Sequence, residues 1–190
     1  MINFYSAKQD NSGAMVSWSV NSKDGSVWAR LIKQTGTTTG EGGQRNGTYA
    51  GGQTINVKFN ADEAGALIHG LRNFEKTSLF HKSPKGSTAI NLSPYVIEAK
   101  GSTPEKRGLG FSVTQGELQF KIGMSLGQGE TLAQFLEFAL EHIFSALYSE
   151  EKKRIKESME KKKGATSSPN GGEEASDPDA GDAQPDDEGF

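Results

Sequence analysis

No cysteine occurs among the 190 residues, so a disulfide framework, a thiolate metal site and a cysteine nucleophile are all excluded. Apolar residues make up only 33% and aromatics 8%. That is little for a fully globular chain, so part of it is expected to stay outside any core. The three histidines, His69, His81 and His142, are scattered without metal-ligand spacing, and no metal or cofactor is expected. Long hydrophobic runs are also missing. Leu132 to Leu147 is the longest apolar stretch and is interrupted by Glu137, Glu141 and His142, so no membrane partner is expected. Met1-Ile2-Asn3-Phe4-Tyr5 has no basic region, and the first arginine is Arg30. Neither a secretory signal nor a transit peptide is therefore expected, and the expected location is the cytoplasm. There is no G-x-S-x-G elbow, no phosphate-binding G-x-x-x-x-G-K-[ST] and no H-E-x-x-H. Gly40-Glu41-Gly42-Gly43 is not a dinucleotide fingerprint and does not open a helix. An enzyme is not expected.

What is present is unevenly distributed. The formal net charge of −3 conceals eight acids and no bases in residues 165–190, which leaves 21 bases against 16 acids, net +5, in residues 1–164. A basic body joined to an acidic tail points to a nucleic-acid or membrane partner, or to a tail that masks the body. The tail carries Pro169, Pro178 and Pro185 and no large apolar residue before Phe190. It cannot bury enough surface to offset its ordering entropy, so residues 164–190 are expected to be disordered. Its tip, Asp186-Asp187-Glu188-Gly189-Phe190, sets one aromatic behind three carboxylates. Two readings follow: a solubilising tail, or a peptide ligand for a basic-rimmed pocket on a partner.

The body reads as strands followed by a helix, twice. Ala14, Val16, Trp18 and Val20 alternate with Met15, Ser17 and Ser19, Asn21 to Gly25 make a turn, and Ser26 to Gln34 return as a strand. Residues 34–53, with seven glycines, are expected to form a long loop, either functional or disordered. Ile55, Val57 and Phe59 alternate, and Asn60 with Glu63 resembles a capping box before the helical repeat of Ala64, Leu67, Ile68 and Leu71. In the second half, Leu79–Lys82 and Ser87–Glu98 are expected to be strands around a turn at residues 83–86. Leu109–Val113 and Glu117–Met124 are expected to form a hairpin around residues 114–116. A long helix follows, with Leu132, Phe135, Leu136, Ala139, Leu140, Ile143 and Leu147 on one face. Residues 150–163 continue it as a basic extension with seven bases against four acids and i,i+4 pairs Glu150–Arg154 and Glu157–Lys161. Residues 1–149 are thus expected to form the folded domain, and the repeated plan suggests an internal duplication.

Basic and aromatic residues interleave through the first sheet: Tyr5, Lys8, Trp28, Arg30, Lys33, Arg45, Tyr49 and Lys58. Lys82 and Lys85 extend the series in the second half. Cations neutralise phosphates, and exposed rings stack on unpaired bases at about 1–3 kcal/mol per base. Trp28, Arg30 and Ile32 share one strand face, opposite Val27, Ala29 and Leu31. Trp18 aligns with Val16 and Val20 and reads as core.

Three stretches carry a family resemblance: Phe59-Asn60-Ala61-Asp62-Glu63-Ala64-Gly65-Ala66-Leu67-Ile68, Leu79-Phe80-His81-Lys82, and Phe138-Ala139-Leu140-Glu141-His142-Ile143. In their order the chain resembles the Whirly proteins, single-stranded-DNA-binding relatives of the transcriptional coactivator PC4, over roughly residues 1–148. The resemblance implies an α+β fold of two antiparallel four-stranded sheets packed across each other with two helices. It also implies a homotetramer assembled through helices, and sequence-independent binding of single-stranded DNA. The family's Lys-Gly-Lys-Ala-Ala-Leu motif is not carried over, because its place reads Tyr5-Ser6-Ala7-Lys8-Gln9-Asp10; a similar string, Lys85-Gly86-Ser87-Thr88-Ala89, stands elsewhere. The plant members' transit peptides have no counterpart, which fits a bacterial or phage source.

The tail is similar to the acidic segments ending in Phe of single-stranded-DNA-binding proteins of the unrelated OB fold. That likeness implies recruitment of replication and recombination enzymes through Asp186, Asp187, Glu188 and Phe190. The expected function is a sequence-independent single-stranded-DNA-binding protein of replication, recombination or repair. The alternatives are an RNA-binding or annealing module and a protein-assembly factor.

Overall fold

Alternation of apolar and polar residues builds two sheets of the same plan, each closed by a helix. The computed structural model describes residues 1–40, 45–83, 86–98 and 105–165. In chain order the elements are β1 (Ile2–Ser6), β2 (Ala14–Asn21), β3 (Ser26–Lys33), β4 (Gly36–Thr39), β5 (Arg45–Thr48), β6 (Thr54–Phe59) and α1 (Ala61–Asn73). They continue as β7 (Thr77–Ser83), β8 (Gly86–Ile97), β9 (Lys106–Gln115), β10 (Leu118–Ser125) and α2 (Leu126–Ala165). The first sheet runs β1-β2-β3-β6 and the second β10-β9-β8-β7, both antiparallel throughout. This is the α+β, two-sheet, two-helix arrangement expected from the sequence. Met1–Glu151 form one compact unit.

Because strand side chains alternate, each sheet has one apolar face. Val16, Trp18, Val27, Ala29, Leu31, Ile55, Val57 and Phe59 are buried on the first, and Ile90, Leu92, Leu109, Phe111, Val113, Phe120, Ile122 and Met124 on the second. Trp18 joins them. Its ring stacks on Phe59 at 5.4 Å and tilts against Phe111 of the second sheet at 5.3 Å. Trp18 is fully buried, as its alternation predicts. Its indole Nε1–H is a buried donor without a partner among the described residues, a cost set against one of the largest apolar burials in the molecule.

Helix α1 starts as the sequence predicts. The Asn60 Oδ1 accepts from the Glu63 amide at 2.8 Å, and the Asn60 amide donates to Glu63 Oε2 at 3.0 Å. The other Glu63 oxygen lies 2.7 Å from His81 Nε2 on β7, so one carboxylate both caps the helix and ties it to the second sheet. His81 meets Phe59 edge-on at 6.0 Å. Helix α2 repeats the device: Ser125 Oγ accepts from the Gln128 amide at 3.2 Å, and the Ser125 amide donates to Gln128 Oε1 at 2.9 Å. The Arg72 guanidinium on α1 grips the Glu137 carboxylate on α2 with both nitrogens.

Four expectations are corrected. Residues 34–53 are not one irregular loop: β4 and β5 pair as a ribbon, Thr35 N–H donates to Thr48 O at 2.8 Å, and residues 41–44 lie outside the described residues. The run Gly36-Thr37-Thr38-Thr39 has strand-forming β-branched residues but no apolar alternation, so periodicity could not reveal it. Leu147 is 48% exposed rather than core, because the buried stripe of α2 ends at Ile143. On the basic extension Lys156 and Glu160 lie 4.0 Å apart, and neither expected pair forms a salt bridge among the described residues. The β9–β10 turn falls at Gly116 and Glu117, with Gly116 at φ 57°, one residue later than expected.

Candidate nucleic-acid interface

The faces turned away from the core carry the candidate chemistry. On the first sheet, cross-strand rows set Tyr5 beside Met15 and Ile32, Arg30 between Ser17 and Asn56, and Trp28 between Ser19 and Lys58. Tyr5 is 56% exposed, Arg30 is exposed, and Trp28 is half-buried. Lys58 is tied to Asp24 at 3.0 Å, and the Ser26 hydroxyl, then this ammonium, hold the Asp24 carboxyl below the usual carboxylate range. Lys33 shares the alternation of Leu31, so it does not join Trp28 and Arg30. Tyr49 follows β5 and packs on Tyr5 with ring centroids 5.8 Å apart, and Arg45 opens β5 opposite Thr39. On the second sheet Lys82 is exposed on β7, in alternation with the exposed Phe80. Lys85, Asp186, Asp187, Glu188 and Phe190 lie outside the described residues.

A groove on the second sheet joins Lys8 to residues that periodicity and charge did not single out. A groove of about 570 Å³ runs over the outer face of β8, β9 and β10, lined by Ser93, Tyr95, Ser112, Lys121 and the end of β1 with Ser6 and Lys8. Its floor is glycine. Gly110 and Gly123 line it, and the Tyr95 ring lies across Gly108, where a Cβ would fall 2.4 Å from the Tyr95 hydroxyl. Glycine at such strand positions lets another group approach the backbone closely. The signal was legible as Gly108-x-Gly110 inside a strand pattern, but only the pairing of β9 with β10 sets Gly123 beside Gly110.

Lys8 is placed by a buried amide. Gln34 is 3% exposed, its Oε1 accepts from the Lys8 amide at 2.8 Å, and its Nε2 donates to Lys8 O at 2.9 Å and Gly36 O at 3.0 Å. Gly13 permits this approach, since a Cβ there would sit 2.2 Å from Gln34 Oε1. Lys8, Arg30, Lys82 and Lys121 make no salt bridge among the described residues, unlike Lys58, Arg72 and Arg107. Unpaired cations beside exposed rings and a backbone floor can hold an anionic, flat-ringed polymer. No group of three or more His, Asp or Glu that could hold a metal ion occurs among the described residues.

No family model matches the chain, and no curated protein matches it in sequence. Among solved structures it is similar to Trypanosoma MRP1/MRP2, at 15% identity over 74% of this chain and 83% of that one, with a TM-score of 0.48. It is similar to the plant transcriptional regulator PBF-2, at 12% identity over 78% and 84% of the two chains, with a TM-score of 0.46. It is also similar to WHY3 from Arabidopsis thaliana, at 12% identity over 80% and 95%, with a TM-score of 0.46.

Proposed function

We propose that the protein binds single-stranded DNA without sequence preference, in replication, recombination or repair. The observation that carries this reading is the glycine-floored groove, where Lys8 and Lys121 make no salt bridge among the described residues and share the lining with the Tyr95 ring. Its contacts are backbone, cation and ring face, none of which distinguishes one base from another. Exposed Phe138, Phe144 and Tyr148 on α2 support assembly into a homo-oligomer. The acidic tail recruits partner enzymes through its terminal Phe190 and competes with DNA for the basic surface.

Anisotropy of a labelled strand tests binding itself, and intrinsic fluorescence tests whether the strand also reaches the outer face of the first sheet, where Trp28 stands outside the groove. Trp18 is fully buried and Trp28 half-buried on the outer face, so Trp28 is the reporter. Oligo-dT is expected to quench it and duplex DNA of equal length is not; Trp28→Phe abolishes the signal. No response to oligo-dT at near-physiological salt, by anisotropy of a labelled strand, removes the proposal.

Removal of residues 165–190 tests the tail separately. Eight fewer negative charges are expected to raise affinity for oligo-dT several-fold at low salt, with the difference vanishing at high salt as screening shortens. Equal or weaker binding by the truncated chain at low salt rejects competition by the tail.

A further inference from the structure

The ribbon of β4 and β5 returns the chain to β1, and the contact encloses a second recess. It is about 360 Å³, within the range of small-ligand pockets at about 300–1,000 Å³, and is lined by Tyr5, Ala7, Asn46, Gly47 and Tyr49. Two features mark it as more than a crevice. The Tyr5 ring is 56% exposed, and it meets Tyr49 at 51° rather than lying flat on it, so much of it remains open for a planar ligand. The Tyr49 hydroxyl is buried yet has no hydrogen-bond partner among the described residues. Burial first, then the neighbouring Tyr5, push its pKa up, so it remains a donor at neutral pH. A buried donor left unpaired is costly, and a ligand acceptor removes that cost.

The recess is built rather than accidental. Gly47 makes room for the hydroxyl, since a Cβ there would fall 2.8 Å from Tyr49 Oη and 3.2 Å from the Ala7 Cβ. The ribbon itself is anchored, with the Thr35 hydroxyl donating to Thr48 O at 3.1 Å and Ala50 O at 3.2 Å. A third cleft stands between the recess and the groove. It is about 110 Å³, is lined by Ala7, Lys8, Gln9 and Thr37, and shares Ala7 with the recess and Lys8 with the groove.

Resting on the function proposed above, we infer that this recess receives one unstacked base of the bound strand, its ring against Tyr5 and a base carbonyl accepting from the Tyr49 hydroxyl, while Lys8 holds the phosphate that links it to the groove. The strand then crosses the end of β1 at Lys8. Thymine, cytosine and guanine each offer a carbonyl oxygen, so the site discriminates weakly and only at this position.

The test uses the full chain and an oligo-dT in which 5-iododeoxyuridine replaces some thymidines. Irradiation couples the iodinated base to an adjacent aromatic ring, and mass spectrometry identifies the residue. Cross-links at Tyr5 or Tyr49 are expected. Cross-links confined to Tyr95 or Trp28 overturn the recess while leaving the proposed function standing; failure to bind oligo-dT overturns both. In parallel, Tyr5→Ala is expected to weaken binding by about 5- to 100-fold, the range of one lost base stack. Tyr49→Phe keeps the ring and is expected to weaken binding by about 2- to 10-fold, the range of one lost hydrogen bond. Unchanged affinity in both variants, with Lys121→Ala still weakening binding, likewise overturns the assignment.

Discussion

Replacement of Trp18 by alanine is expected to destabilise the protein by about 3–5 kcal/mol, the range for truncating a large buried aromatic. The residue is fully buried and touches Phe59 of its own sheet and Phe111 of the other, so the loss falls where the two sheets share one core. A cavity there has rings on both sides, which cannot collapse without moving a sheet. Trp18→Phe is expected to cost less than half as much, because it keeps the aromatic contacts and removes the unpaired indole N–H. Urea unfolding followed by circular dichroism measures both. A loss below about 1 kcal/mol for Trp18→Ala would show that the sheets are not held together through this residue.

Removal of Lys8 and Lys121 together is expected to weaken binding strongly and to change its salt dependence. Each phosphate contact on a single strand adds about 0.7 to the slope of log K against log salt, so losing two flattens it by about 1.4. At 0.1 M salt the same relation gives a fall in affinity of about 25-fold. Both side chains line the groove and make no salt bridge among the described residues, whereas Lys23 lies in the β2–β3 turn and does not line it. Lys23→Ala is therefore the control, expected to leave the slope unchanged. Anisotropy of labelled oligo-dT between 50 and 300 mM salt reads all three proteins. An unaltered slope in the double variant would move the phosphate path off the groove, onto the Arg30 and Lys58 face.

The periodicities that could be read were those with an apolar face to report. Strands β2, β3 and β6 alternate cleanly, and each residue of Ile55, Val57 and Phe59 is buried as its parity requires. The Asn60–Glu63 box was legible because capping is a local matter of four residues. The ribbon of β4 and β5 was not, since its stability comes from pairing with itself and with residues around Thr35, not from burying alternate side chains. Lys33 illustrates the opposite failure: its charge and position looked right, but a one-residue step along a strand turns it to the other face.

The candidate interface divides in the same way. The excess of positive charge in the body, the acidic tail, the duplicated strand-and-helix plan and the shared face of Trp28 and Arg30 follow from composition and period alone, because charge is additive and burial alternates. The glycine floor under Tyr95, the grip of Gln34 on Lys8 and the meeting of Tyr49 with Tyr5 do not. Each joins residues 13 to 44 positions apart through strand pairing or ribbon return, and that proximity exists only once backbone hydrogen bonds have set the registers.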